Sequence, residues 1–107
     1  MSDGVPLRLV ATTVRSEDDA RRLAATLIGR RLIACATMAP VVSMYRWQGV
    51  VEFVPEVQVV FKTTDDLVDD VAGAIEELHT YDLPEILKFG VEATEQYAAW
   101  VGGETSA

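Results

Sequence analysis

Apolar and polar residues alternate loosely over Leu7–Thr13, with Leu7, Leu9 and Ala11 on one side, and this two-residue period predicts a first strand. The period then lengthens. Ser16 offers a hydroxyl to the free amides of a helix start, and Glu17, Asp18 and Asp19 set negative charge at its positive end. Ala20, Leu23, Ala24, Leu27 and Ile28 recur at helical spacing, so one stripe of this helix should be buried. Arg30 and Arg31 close it where a helix end favours cations, and Gly29 weakens the last turn.

From Ile33 to Trp47 the chain is β-prone, with a bend or bulge expected at Pro40 and Ser43. Gln48-Gly49 predicts a tight hairpin. Val50–Thr63 runs back, with Val57, Val59 and Phe61 on one face and Gln58, Val60 and Lys62 on the other. Pro55 lacks the amide that a central ladder needs, so this strand should begin at an edge. Thr63 or Thr64 is expected to cap a second helix, with Asp65 and Asp66 in its first turn and Leu67, Val68, Val71, Ala72, Ile75 and Leu78 as its buried stripe. After a loop over His79–Pro84, Glu85–Glu92 reads as a fourth strand with Leu87, Phe89 and Val91 inward. Thr94 caps a short last helix whose Tyr97, Trp100 and Val101 share a face, and Gly102–Ala107 is expected to fray.

The order β-α-β-β-α-β plus a terminal helix is the split βαβ, ferredoxin-like pattern: an antiparallel four-stranded sheet with two helices on one face. Its 107 residues form a single domain, 1–107, and a hydrophobic share of 50% supplies one core and excludes a disordered chain. No apolar run reaches the ~20 residues that span a bilayer, and Met1–Pro6 has neither the basic nor the apolar part of a secretion signal. A lone Cys35 excludes an internal disulfide and suits a reducing compartment, so a cytoplasmic location is expected. The net charge of −8 repels phosphate backbones, and basic residues cluster only at Arg30 and Arg31, which argues against nucleic acid as a partner. A membrane partner is not expected either.

The hairpin from Val41 to Val60 is long for so small a domain. At about 3.3 Å per residue its arms would reach roughly 30 Å, and they carry Val42, Met44, Tyr45, Trp47, Val50, Val51 and Phe53. An apolar ribbon with open edges invites another copy of the chain, and a closed ring satisfies every edge where an open stack would aggregate.

Five stretches now stand in order: Arg31-Leu32-Ile33-Ala34-Cys35-Ala36, Tyr45-Arg46-Trp47-Gln48-Gly49, Phe61-Lys62-Thr63-Thr64, His79-Thr80-Tyr81-Asp82-Leu83-Pro84-Glu85-Ile86, and Tyr97 with Trp100. Together they resemble the successive motifs of the CutA divalent-cation-tolerance family over nearly the whole chain. The resemblance implies a homotrimer of ferredoxin-like subunits, each lending its hairpin to a neighbour's sheet. It also implies a part in tolerance to copper and other divalent cations, with no established reaction. Thr80 stands where the family usually has proline, Asp82-Leu83 replaces a more usual glutamate-valine, and Val54-Pro55 falls in a commonly acidic stretch.

Several side chains are candidates for chemistry, each with a plainer role beside it. Cys35 is a soft ligand for copper or zinc as a thiolate, or a small core hydrophobe between Ala34 and Ala36. His79 suits the same metals and has Tyr81, Asp82 and Glu85 close by, yet a helix end also favours a histidine, and the spacing fits no known metal signature. The metal candidates are thus Cys35, His79 and Glu85, holding at most a weakly bound divalent cation that folding does not require. Lys62 is a candidate cleft residue or one half of an ion pair with Glu85, while Tyr45 and Trp47 line a pocket or an interface. Tyr45, Trp47, Lys62 and Tyr81 form the expected cleft between subunits.

Other classes fit less well. An acylphosphatase-like enzyme needs a phosphate cradle after the first strand, but Thr13-Val14-Arg15-Ser16 has one arginine followed by three acids. A PII-like signalling trimer needs a long loop where Gln48-Gly49 leaves no room, and an RNA-recognition module needs a basic, aromatic sheet face. The expected function is a non-enzymatic, homotrimeric binding or sensing module of the divalent-cation-tolerance type. A small-molecule signalling trimer or an enzyme with an intersubunit active site is the alternative.

Overall fold

A computed structural model describes residues 4–106. The expected elements are present in order: β1 Val5–Val14, α1 Glu17–Gly29, β2 Cys35–Trp47, β3 Val50–Thr63, α2 Val68–Leu78, β4 Leu87–Ala93 and α3 Glu95–Glu104. The strands form one antiparallel sheet in the order β2-β3-β1-β4. β3 therefore separates β1 from β2, as a split βαβ unit requires.

Local chemistry accounts for the boundaries. The Ser16 side chain accepts the Asp19 amide at 3.1 Å, opening α1 as expected. At its far end Arg31 takes a positive φ of 58°, and the Arg31 and Leu32 amides bond back to Ile28 and Leu27. That is a Schellman ending with arginine in the place usually taken by glycine. Gln48 and Gly49 both have positive φ, 50° and 84°, which is the type I′ geometry that matches the twist of a two-residue hairpin.

The start of α2 differs from expectation. Thr63 belongs to β3, fully buried, and its hydroxyl donates to the Leu32 carbonyl; the Thr64 hydroxyl donates to Asp66. A turn over residues 65–67 intervenes, and the helix begins after Leu67 with no side-chain cap. No bulge interrupts β2 either: its register with β3 runs unbroken from Cys35↔Lys62 to Trp47↔Val50. Pro40 is tolerated because β2 is an outer strand, and Pro55 because β1 pairs with β3 only from Val57 onward.

The main core lies between the sheet and helices α1 and α2. Val10 and Val14 meet Val59 and Phe61 there, under Leu23, Leu27, Val71 and Ile75. Phe61, Leu27 and Ile75 are wholly buried, each contributing about 1.5–3 kcal/mol of apolar transfer. Ile28, placed in the buried stripe by its spacing, is exposed.

The opposite face of the sheet is only partly covered. There α3 seats Ala98 and Val101 over Leu7 and Val91. Tyr97 and Trp100, expected to share a face with Val101, lie partly exposed with their rings 5.6 Å apart. Leu87 and Phe89 were expected inward, but both are 45% exposed. Register explains it: they pair with Ala11 and Leu9, on the side away from α1 and α2. The expected frayed tail is also shorter, since α3 continues through Glu104; Met1–Asp3 and Ala107 lie outside the described residues.

Beyond Val57 the hairpin leaves the sheet as a two-stranded ribbon. It stretches the molecule to 49 Å and the radius of gyration to 14.8 Å, against about 13 Å for a compact chain of ~100 residues. Val42, Met44, Val50, Val51 and Phe53 on the ribbon are all more than half exposed.

Candidate functional site

Where the ribbon departs, the α2–β4 loop comes back across the end of β1, and the two enclose an open cleft of about 830 Å³. Ser43, Tyr45 and Trp47 contribute one wall, Tyr81 to Glu85 the other, and Thr13 and Glu56 the floor. Register puts these groups together. Val59 and Phe61 face the helices, so Glu56 faces the opposite way, and Ser43, Tyr45 and Trp47 pair with β3 residues on that same side.

A short hydrogen-bond chain sets the loop wall. His79 Nδ1 accepts the Tyr81 amide at 3.0 Å, which leaves Nε2 to carry the proton it donates to the Thr13 carbonyl at 2.8 Å. The imidazole thereby ties the loop to β1, and its ring lies 4.7 Å from that of Tyr81. The Tyr81 hydroxyl then donates to Glu56 Oε2 at 2.6 Å. Burial, and next the neighbouring Glu56 carboxylate, push the Tyr81 phenol well above the ordinary tyrosine range. Glu56 is only 6% exposed. Among the described residues no cation pairs with it.

The structure brings together Tyr45, Trp47, Tyr81 and Glu85 of the expected residues, and does so within one subunit. Lys62 and Cys35 lie elsewhere. The Lys62 ammonium sits 3.2 Å from the Thr37 hydroxyl and 3.8 Å from the Cys35 sulfur, toward α3. Burial, and then the adjacent Cys35 thiol, raise the Tyr97 phenol there. Within the subunit Lys62 pairs with no acid among the described residues, Glu85 included.

The proposed metal ligands are correspondingly separated within one chain. Cys35 pairs with Lys62, six strand residues or about 20 Å from Glu56 at the cleft. His79 has both ring nitrogens engaged, leaving no lone pair for a cation unless the Tyr81 amide is released. Among the described residues no three His, Cys, Asp or Glu side chains converge as a metal site. Sequence reasoning missed Glu56, one of two acids in β3 with Glu52, which nothing but its place beside Pro55 set apart.

These features define a ferredoxin-like α/β domain distinguished by an overlong β2–β3 ribbon and a cleft at its root. The family described as CutA1 divalent ion tolerance protein matches residues 8–104. The chain is 37% identical over 98 residues to the divalent-cation tolerance protein CutA of Pyrococcus horikoshii, covering 91% of this chain and 96% of that one. It is 30% identical to a rice protein named CutA 1, chloroplastic, over 97% of this chain and 60% of that protein. The solved structure of CutA from Synechococcus elongatus superposes with a TM-score of 0.93 at 34% identity, over 98% of this chain and 95% of that one. The chain belongs to the CutA1 divalent ion tolerance family.

Proposed function

We propose that this chain acts as a non-enzymatic divalent-cation response protein in the cytoplasm, assembled as a homotrimer and taking its ligand at the ribbon-root cleft. The observation that carries the assembly is the ribbon itself. Its aliphatic and aromatic side chains stand in solvent in the lone subunit, on a two-stranded element with open edges. Leu87, Phe89 and Trp100 on the half-covered sheet face offer a matching apolar surface. A closed ring of copies would bury both, with each ribbon laid against a neighbour.

The names of the relatives and the net charge of −8 support cation response. Copper or another divalent cation would be held weakly and reversibly, outside the folding reaction, because a structural site needs about four converging donors. Glu85 is an exposed carboxylate at the cleft rim, and a neighbouring copy would supply the remaining donors. Cys35 is the soft alternative. Calorimetric titration with copper(II) of wild type, Glu85→Gln, His79→Ala and Cys35→Ala separates the two. Loss of affinity in Glu85→Gln with Cys35→Ala unaffected supports the cleft, and the reverse pattern assigns the ion to the thiol. Affinity untouched by all the variants would remove direct cation binding at these residues from the account.

A further inference from the structure

The cleft has a chemical character that small hydrated metal ions do not require. Its floor holds Glu56, a carboxylate more than nine-tenths buried, with one oxygen taken by the Tyr81 hydroxyl and no positive partner among the described residues. A buried, unpaired carboxylate is costly, and the phenol offsets that cost with one neutral donor only. Three aromatic side chains, Tyr45, Trp47 and Tyr81, line the same space, and Asp82 and Glu85 carry further negative charge at the rim. Aromatic faces attract an ammonium ion held close to the ring, and a primary ammonium keeps N–H donors free for a carboxylate beside them.

We propose that this cleft binds an organic ammonium ion, of the size of a short aliphatic diamine. One ammonium would donate to the open side of Glu56 among the aromatic side chains, and the second would meet Glu85 or Asp82 at the rim. The volume of about 830 Å³ is ample for such a ligand and falls within the range of small-molecule sites. A metal ion, in contrast, finds no three converging ligands among the described residues. The inference rests on the cleft being the binding site proposed above. It does not depend on copper binding.

The test is calorimetric titration of the native assembly with 1,4-diaminobutane dihydrochloride near neutral pH, against 1,4-butanediol and against sodium chloride at matched ionic strength. The expected result is saturable binding of one diamine per chain and none of the diol. Glu56→Gln should weaken binding about tenfold or more, the scale of one charge-assisted hydrogen bond. Glu85→Gln, at an exposed position, should weaken it by about threefold, as a rim charge pair does, and it keeps the test alive should Glu56→Gln not fold. Equal binding of the diol, or wild-type affinity in folded Glu56→Gln, overturns the proposal. So does abolition of binding by sodium chloride at 0.15 M, which would mark diffuse attraction to an acidic surface. Light scattering on the same samples reports the assembly separately, so loss of the trimer is not mistaken for loss of the ligand.

Discussion

Replacing Tyr81 by phenylalanine removes one oxygen and leaves the ring, which isolates the bond that ties the α2–β4 loop to the base of the ribbon. That bond is 2.6 Å long and ends on a carboxylate that is 6% exposed. Hydrogen bonds to charged groups contribute about 1.5–3 kcal/mol net, and Tyr81 is itself only partly buried, so the lower part of that range applies. The expected loss for Tyr81→Phe is about 1.5–2 kcal/mol, because Glu56 is left buried without its donor. Glu56→Gln should cost less, since an amide carbonyl still accepts the phenol and the buried charge is gone. Urea unfolding at equal chain concentration is the suitable assay, as dissociation is linked to unfolding in an oligomer.

The pH dependence supplies an independent check on the same bond. The folded chain holds the Tyr81 proton more tightly than the unfolded chain does. As pH rises past about 10 the unfolded state loses its phenolic proton first, and stability falls with pH from there upward. Wild type should therefore show an alkaline decline that is shallower in Tyr81→Phe; Tyr97, also raised, accounts for the part that remains. A Tyr81→Phe protein within 0.5 kcal/mol of wild type, with an unchanged alkaline decline, would refute the reasoning.

Other substitutions probe the core, the turn and the ribbon. Phe61→Ala, at a wholly buried position between sheet and helices, should cost about 3–5 kcal/mol by urea unfolding. Gly49→Ala forces a Cβ into a φ of 84° and should cost about 1–2 kcal/mol at the ribbon tip, although nothing lies close enough to clash. Phe53→Asp discriminates between a lone and an assembled chain. Phe53 is 68% exposed in one subunit, so a monomer should lose no more than about 0.5 kcal/mol, whereas a buried interface would receive an unpaired charge and the assembly mass should fall.

Most of the fold was readable because the period of apolar residues changes cleanly from strand to helix, and because Gln48-Gly49 and Ser16 mark a turn and a cap by local chemistry. The misreadings have separate physical origins. A period of two identifies the sides of a strand without saying which side a helix will cover. Leu87 and Phe89 were therefore assigned to a core that lies on the opposite face. The α2 boundary failed because Thr64 spends its hydroxyl on Asp66 two residues on, a competition that a capping rule does not see. At the site, Tyr45, Trp47, Tyr81 and Glu85 stood out as residue types, but Glu56 becomes visible only when register places it beneath Tyr81. His79 shows the converse. Its chemistry suited a metal, and its hydrogen bonds give both ring nitrogens a structural task.

The central claim is that the ribbon and the half-covered sheet face are completed by two further copies of the chain. Multi-angle light scattering of the native protein at low micromolar concentration tests it most directly. The account predicts a single species of three times the 11.7 kDa chain mass, unchanged on dilution. A species at 11.7 kDa would contradict it, and the exposed ribbon would then need another explanation.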